Sequence, residues 1–334
     1  MANGKIMISK KFKLTNLAGD ASFRKYYRKF DKKKKTSTII VIAKKEKYKN
    51  LSIYILINRF LMSQNIRVPR LISRNYKKDF IEIEDFGNIS IHNILNKSKL
   101  KFYIYKKVVD LLIKLQKIRP NKIKNFFGKS YKVQKYSTKN LNKESDLFFN
   151  WYLPLIMKKK EAIEIKKILK KKLNFLYSKL KFKNEIFVHR DFHASNLMKI
   201  NSNIGLIDSQ DAIIGNPAYD LMSLIEDVRI KTSKKLKKNI FNYYLKNSPK
   251  VFRKRKKDFV HDYNILSVQR NLKIIGIFSR LFKRDKKKKY LKLIPYAWKL
   301  LETKLKIKMF NEIRIVLNQS IPSKTRTKIR FYVN

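Results

Sequence analysis

The sequence predicts an α+β chain of two lobes, a small β-rich amino-terminal lobe and a larger helical carboxy-terminal lobe. Three observations predict it. Short β-branched and aromatic runs separated by turn residues fill the first 84 positions. From about residue 99 onward, apolar residues recur three or four apart, which is the helix period. Among those helices stands one stretch of different character, VHRDFHASNLMKINSNIGLID at 188–208, in which short apolar runs alternate with polar punctuation.

Taken in order, residues 12–14 and 23–30 can pair across a turn at Gly19-Asp20, and 38–42 supplies a third strand. A helix over 51–64 follows, then strands over 68–73 and 80–84. Pro69 has no N–H to donate, so the first of these belongs at a sheet edge. Glu84-Asp85-Phe86-Gly87 ends the last strand and reads as the connector between lobes. Helices are expected over 99–118, 144–156 and 161–180; in the third, Ile165, Leu169, Leu173, Leu176 and Leu180 form one stripe. Residues 185–188 read as a buried strand, and 197–200 and 204–207 as a hairpin around Asn201-Ser202-Asn203. Pro217 opens a helix with Leu221, Leu224, Ile225 and Val228 on one face, and helices over 259–282 and 290–305 complete the lobe. The domain reading is 1–87, 88–321, and a loosely held tail over 322–334.

Composition narrows the class. The 334 residues are 44% apolar, enough for two lobes with a sizeable core, and no apolar run approaches the ~18 residues of a membrane span. There is no apolar segment behind the amino-terminal lysines, so no secretory signal is expected, and there are no cysteines to form disulfides or thiolate metal sites. A cytoplasmic monomer is the expectation. The net charge of +58 suggests nucleic acid or an anionic surface. Its lysines are spread throughout, at 32–35, 158–160, 170–172 and 286–289, amid abundant Ile, Asn, Phe and Tyr. All of these have adenine- and thymine-rich codons, so a genomic base bias suffices to produce the charge, and no dedicated nucleic-acid partner is expected.

The chemistry concentrates in 188–208. A hairpin of that length brings Asn196 at its start beside Asp208 at its end, two hard oxygen donors of the kind that magnesium takes alongside nucleotide phosphates. Asp191, on the preceding loop, is placed to accept a proton from an attacking hydroxyl. Singly, such residues are usually turn formers or caps. Together they form H-x-D-x-x-x-x-N, followed twelve residues later by an Asp closing an apolar strand, a compound pattern with a phosphoryl-transfer rationale.

The two-lobe plan with HRDFHASN and IDSQD resembles the aminoglycoside phosphotransferase and choline kinase superfamily, which shares the protein-kinase-like fold. GDASFRKYYR at 19–28, IDSQDAIIGNPAYDLMSL at 207–224 and QRNLKIIGIFSRLFKRD at 269–285 are similar to the bacterial N-acetylmuramate/N-acetylglucosamine kinases, over about 14–300. The resemblance implies an ATP- and magnesium-dependent kinase of an amino sugar, acting at the anomeric hydroxyl in cell-wall sugar recycling. It makes Asp191 the general base, with His189 and Arg190 shaping its loop, Asn196 and Asp208 the metal ligands, and Asp220 a brace for the loop. Gly19, Ser22, Arg24, Lys44 and Glu84 fall on the nucleotide side. Asp211, Gln269 and Arg270, polar residues near the motif segments, could bind sugar hydroxyls or a lactyl carboxylate, a surface or core-bracing role being equally open to each and Arg270 the favoured contact.

The chain also departs from the kinase pattern. A strand lysine normally pairs with a helix glutamate to hold the phosphates, yet the helix over 51–64 has no acid. Either Glu46 serves from the loop after Lys44 and Lys45, or Lys44, Arg24 or Arg28 meets the phosphates alone. The metal segment reads Asp208-Ser209-Gln210, where the family usually has an aromatic after the Asp. Two other readings compete. An aminoglycoside, choline-like or amino-acid acceptor keeps the fold, but a cationic acceptor needs an acidic pocket and the chain has 24 acids against 82 bases. A basic nucleic-acid-binding or scaffold protein changes the class, against which stand the intact Asp191, Asn196 and Asp208.

Overall fold

The computed structural model describes residues 12–17, 24–43, 49–75, 80–119, 123–124 and 130–327. The expected turn at Gly19-Asp20 and the candidates Gly19, Ser22, Lys44 and Glu46 lie outside the described residues. The chain divides into two compact units. One contains residues 1–94, 120–132 and 195–212, and the other 95–119, 133–194 and 213–334. The sequence boundary after Gly87 therefore falls short of Ile94, and the hairpin after Ser195 groups with the amino-terminal unit although it lies far along the chain.

The amino-terminal unit is built on a five-stranded antiparallel sheet of order β1-β2-β3-β5-β4, with β1 Phe12–Leu17, β2 Lys25–Asp31, β3 Thr36–Ile42, β4 Leu71–Asn75 and β5 Phe80–Glu84. Helix α1, Lys49–Ser63, covers one face. The strand period of two puts Ile39, Val41 and Ala43 on that face together with Ile81 and Ile83, and they close on Leu51, Tyr54 and Ile55 of α1. The opposite face is polar: Glu82 accepts hydrogen bonds from Lys29 (3.1 Å), Thr38 (2.6 Å) and Ser73 (3.2 Å). Strand β4 is at the sheet edge and starts two residues beyond Pro69, and the same unit holds a short antiparallel pair, β6 Ile123–Lys124 with β7 Ser130–Tyr131.

The helical unit is organised around one long helix. In chain order its region holds α2 Ile91–Lys97, which starts in the first unit, α3 Lys101–Gln116, α4 Thr138–Leu147, a π-turn over Phe148–Tyr152, α5 Leu153–Ile156, and α6 Lys159–Ser178. After these come α7 Ala218–Ile225, α8 Lys234–Asn247, α9 Lys250–Lys254, α10 Lys256–Lys283, α11 Ile294–Leu305, α12 Asn311–Ser320 and α13 Ser323–Thr327. Helix α10 packs against α4 and its π-turn, α7 and α11. Its Gly276 makes the closest approach: a Cβ there would sit 2.2 Å from the carbonyl carbon of Leu147. A glycine is needed because two helix backbones touch at that point.

Three differences from the sequence reading have physical causes. The helix expected from 144 begins at Thr138, because Ser137 and Asn140 form a capping box ahead of the first apolar turn. Helices α8 and α12 are rich in lysine and other polar residues, so their narrow apolar stripes (Ile240, Tyr244 and Leu245; Ile313 and Leu317) are easily overlooked. The segment read as a loose tail is held as far as Thr327, since buried Arg326 donates to the carbonyls of Leu317 (2.7 Å) and Ile321 (2.7 Å) and to Glu302 (2.9 Å). Among the described residues no helix is long and apolar enough to cross a membrane.

Candidate active site

In the helical unit, strand β8, Ile186–Val188, pairs with β11, Ile213–Gly215, and delivers the chain to the His189-Arg190-Asp191 loop. The loop is pinned from α7. The carboxylate of Asp220 accepts from the backbone N–H of His189 (2.7 Å) and of Arg190 (3.0 Å). Arg190 itself is left-handed (φ 74°), and His193 N–H returns to the carbonyl of Asp191 (3.0 Å). A non-glycine residue held at positive φ is a costly conformation that its surroundings must fix. Asp220 is fully buried; burial, aided by the charge of Asp191, pushes its carboxyl up to about 7 despite the two amides.

A second device, invisible in the motif, backs the same loop. The buried carboxylate of Glu144 on α4 receives six donors. Oε1 accepts from Arg190 Nη2 (2.6 Å) and Nε (3.1 Å) and from Lys273 Nζ (3.0 Å). Oε2 accepts from Tyr136, from Tyr219 (3.2 Å) and from Gln269 (2.9 Å). Burial would raise its pKa, but the two cations and these donors outweigh burial and bring it down to about 2. Two cations against one carboxylate leave a positive charge, and Asp191 answers it. Burial acts to raise the Asp191 carboxyl, yet the charges around it, Lys273 foremost, hold it well below the usual carboxylate range. Burial lowers His193 to about 3, so that imidazole is neutral at physiological pH and the effect there belongs to Lys273 and Arg190.

In the amino-terminal unit, β9, Leu197–Ile200, and β10, Asn203–Leu206, form the expected antiparallel hairpin. The N–H of Ile207 donates to the carbonyl of Asn196 (3.0 Å), which pairs Asn196 with Ile207 and leaves Asp208 one residue beyond at the open end. Asp208 is left-handed (φ 67°, ψ 40°) and leads into a tight turn over Ser209–Asp211. An amide and a carboxylate, both hard oxygen donors, suit a magnesium ion that takes its other oxygens from water and substrate. Asp191, Asn196 and Asp208 all retain partial exposure, whereas Glu144, Asp220 and Ser209 beside them in sequence or contact are buried.

The remaining candidates separate clearly. Arg28 is committed to the connector, with contacts to Asp85 (2.5 and 2.9 Å), Asn88 (2.5 Å) and the carbonyl of Gly87 (3.1 Å). Glu84 is engaged by Arg67 and Arg70. Arg24, just ahead of β2, is buried and lies within electrostatic reach of Tyr54, which also senses Asp208. Asp211 is exposed. Gln269 is fully buried in the Glu144 cluster, and Arg270 donates to Ser223 (2.7 Å) while 5% exposed, so both are occupied by protein groups. Sequence reasoning missed Glu144 and Lys273. Their one signal was position: each is a charged residue in phase with the buried face of its helix.

Comparison with known proteins fits this arrangement. The N-acetylmuramate/N-acetylglucosamine kinase of Pseudomonas aeruginosa is 26% identical over 293 residues, covering 86% of this chain and 82% of that protein. Among solved structures, an ethanolamine kinase of Plasmodium vivax superposes with a TM-score of 0.62 at 13% identity, over 93% of this chain and 85% of its own. An amicoumacin kinase solved with AMP-PNP and Ca2+ gives 0.56 at 16% identity, over 87% and 88%. The five-stranded sheet with its helical remainder is thus the fold of these kinases. With a family model also matching residues 13–255, from the first strand through the pinned loop to the start of α10, the chain belongs to the phosphotransferase enzyme family.

Proposed function

We propose that the protein transfers the γ-phosphoryl group of ATP to the anomeric hydroxyl of an N-acetylated amino sugar, N-acetylmuramate or N-acetylglucosamine. The observation that carries the reading is the state of Asp191, a partly exposed carboxylate kept ionised by Lys273 and Arg190 on a loop whose backbone is fixed by Asp220. An ionised carboxylate is the form that can accept a proton, and the anomeric hydroxyl of a sugar, more acidic than an ordinary alcohol, suits such a base. The name of the curated relatives, matched over more than four-fifths of this chain, supports the same acceptor.

Phosphoryl transfer asks little covalent work of a protein and much positioning. Asp191 orients the hydroxyl and takes its proton late, while Asp220 and Glu144, through the loop backbone and Arg190, keep the carboxylate in place. Asn196 and Asp208 would hold a magnesium ion, which would supply positive charge against the nucleotide phosphates. Among the cations considered for the phosphates we assign the role to Arg24, which with Asp208 lies within electrostatic reach of Tyr54. The amino-terminal lobe is then the nucleotide side and the helical lobe the substrate side.

The test is incubation of purified protein with magnesium-ATP and, separately, N-acetylmuramate, N-acetylglucosamine, an aminoglycoside and choline, following nucleotide turnover and product mass. Turnover with the two amino sugars alone is expected. Turnover only with a cationic acceptor overturns the acceptor, and none with any acceptor overturns the kinase reading.

A further inference from the structure

Two departures from the kinase pattern, an α1 without an acid and a serine after the metal-segment aspartate, meet in one hydrogen bond. The hydroxyl of Ser209 donates to Asn58 Oδ1 on α1. Asn58 is held in turn, its Nδ2 donating to the carbonyl of Pro69 (3.1 Å). Both side chains are buried, Ser209 completely and Asn58 to 4% exposure. Tyr54, one turn earlier on the same face of α1, hydrogen-bonds to Asn58 and lies within electrostatic reach of Asp208 and Arg24.

This contact is placed where it can control a ligand. Asp208 is left-handed, a turn conformation uncommon for residues other than glycine though aspartate adopts it more readily than most, and both its neighbours are tied. On its amino-terminal side Ile207 is tied to Asn196, and on its carboxy-terminal side Ser209 is tied to α1. The Ser209 side chain is fully enclosed beside Asn58, so an aromatic at that position would have to displace the asparagine.

We infer that Asn58 and Ser209 are a positioning pair for Asp208, a neutral hydrogen bond from α1 that fixes the metal-binding turn. The inference rests on the reading of Asp208 as a magnesium ligand. A buried neutral pair does its work by geometry, because removing either partner leaves the other polar group enclosed and unsatisfied.

The test is a double-mutant cycle on the full chain: wild type, Asn58→Ala, Ser209→Ala and the double variant. Calorimetric titration with ADP over a range of magnesium concentrations, without acceptor sugar, gives the half-saturating magnesium of each, and thermal melting without nucleotide gives stability. Each single variant should raise half-saturating magnesium on the order of tenfold, and the double no more than either single. Ser209→Thr, which keeps the hydroxyl, should stay within about threefold of wild type, and carries the test if Asn58→Ala does not fold. Effects that multiply in the double variant, or lowered melting with unchanged magnesium dependence, overturn the inference alone. A wild type that binds no magnesium nucleotide overturns the kinase reading, and the inference with it.

Discussion

Lys273 Nζ lies 3.0 Å from Glu144 Oε1 inside the helical unit, and the same carboxylate oxygen holds Arg190. A buried pair gains little net stability from its own attraction, since desolvating both charges offsets it. Breaking it by removing one partner is another matter.

Glu144→Gln should therefore cost stability, roughly 3–5 kcal/mol, by leaving two cations enclosed without their carboxylate, and Lys273→Met should cost less, because Arg190 still pairs with Glu144. Lys273→Arg should cost less again, as it keeps the charge. Urea denaturation of the variants measures this, and a loss under about 1 kcal/mol for Glu144→Gln would show that the cluster is not enclosed as described.

The pH dependence of stability carries two opposite signatures. Glu144 has its pKa lowered to about 2 in the fold, so its contribution is present above the ordinary glutamate value and is lost as pH falls through about 2. Asp220 is raised to about 7, so its contribution is full below the ordinary aspartate value and is lost as pH rises through about 7. In Asp220→Asn, which has no charge to bury, the decline in unfolding free energy between about pH 4 and pH 7 should be smaller than in wild type. An identical slope in both proteins contradicts the assignment.

Gly276→Ala should destabilise the helical unit by about 1–3 kcal/mol or more, because its Cβ would meet the Leu147 carbonyl carbon at 2.2 Å and backbone cannot rotate away. Calorimetric melting reads this directly. An unchanged melting temperature would mean that α10 and the π-turn are farther apart than described.

Asp191→Asn should lower kcat by a factor on the order of 10²–10⁴ with little change in KM for ATP, the pattern of a lost proton acceptor. Asp208→Ala should instead abolish magnesium-dependent nucleotide binding. Steady-state kinetics and binding titrations separate the two.

Much of this was legible in the sequence, and the limits are physical. The hairpin over 188–208 was readable because strand period, turn residues and motif spacing all agree locally, and the Ile207 to Asn196 hydrogen bond follows from that register. The α10 segment was legible as a helix and as a family block, but the use of its polar residues was not. Gln269 and Arg270 read equally as sugar ligands or as core braces, and they are engaged by Glu144 and Ser223, contacts between residues 125 and 47 positions apart that no local pattern encodes. The same holds for Asn58 and Ser209, 151 positions apart. The serine after Asp208 and the absence of an acid on α1 were visible, while the hydrogen bond from the serine to that helix needed three dimensions.

The central claim is that this chain phosphorylates an amino sugar at its anomeric oxygen with Asp191 as base. The most direct measurement is 31P NMR of the product formed from magnesium-ATP and N-acetylmuramate by wild type and by Asp191→Asn. The account predicts a sugar phosphate whose phosphorus couples to the anomeric proton, formed by wild type and nearly absent with the variant. A phosphate on any other oxygen, no sugar phosphate at all, or equal formation by the variant would contradict it.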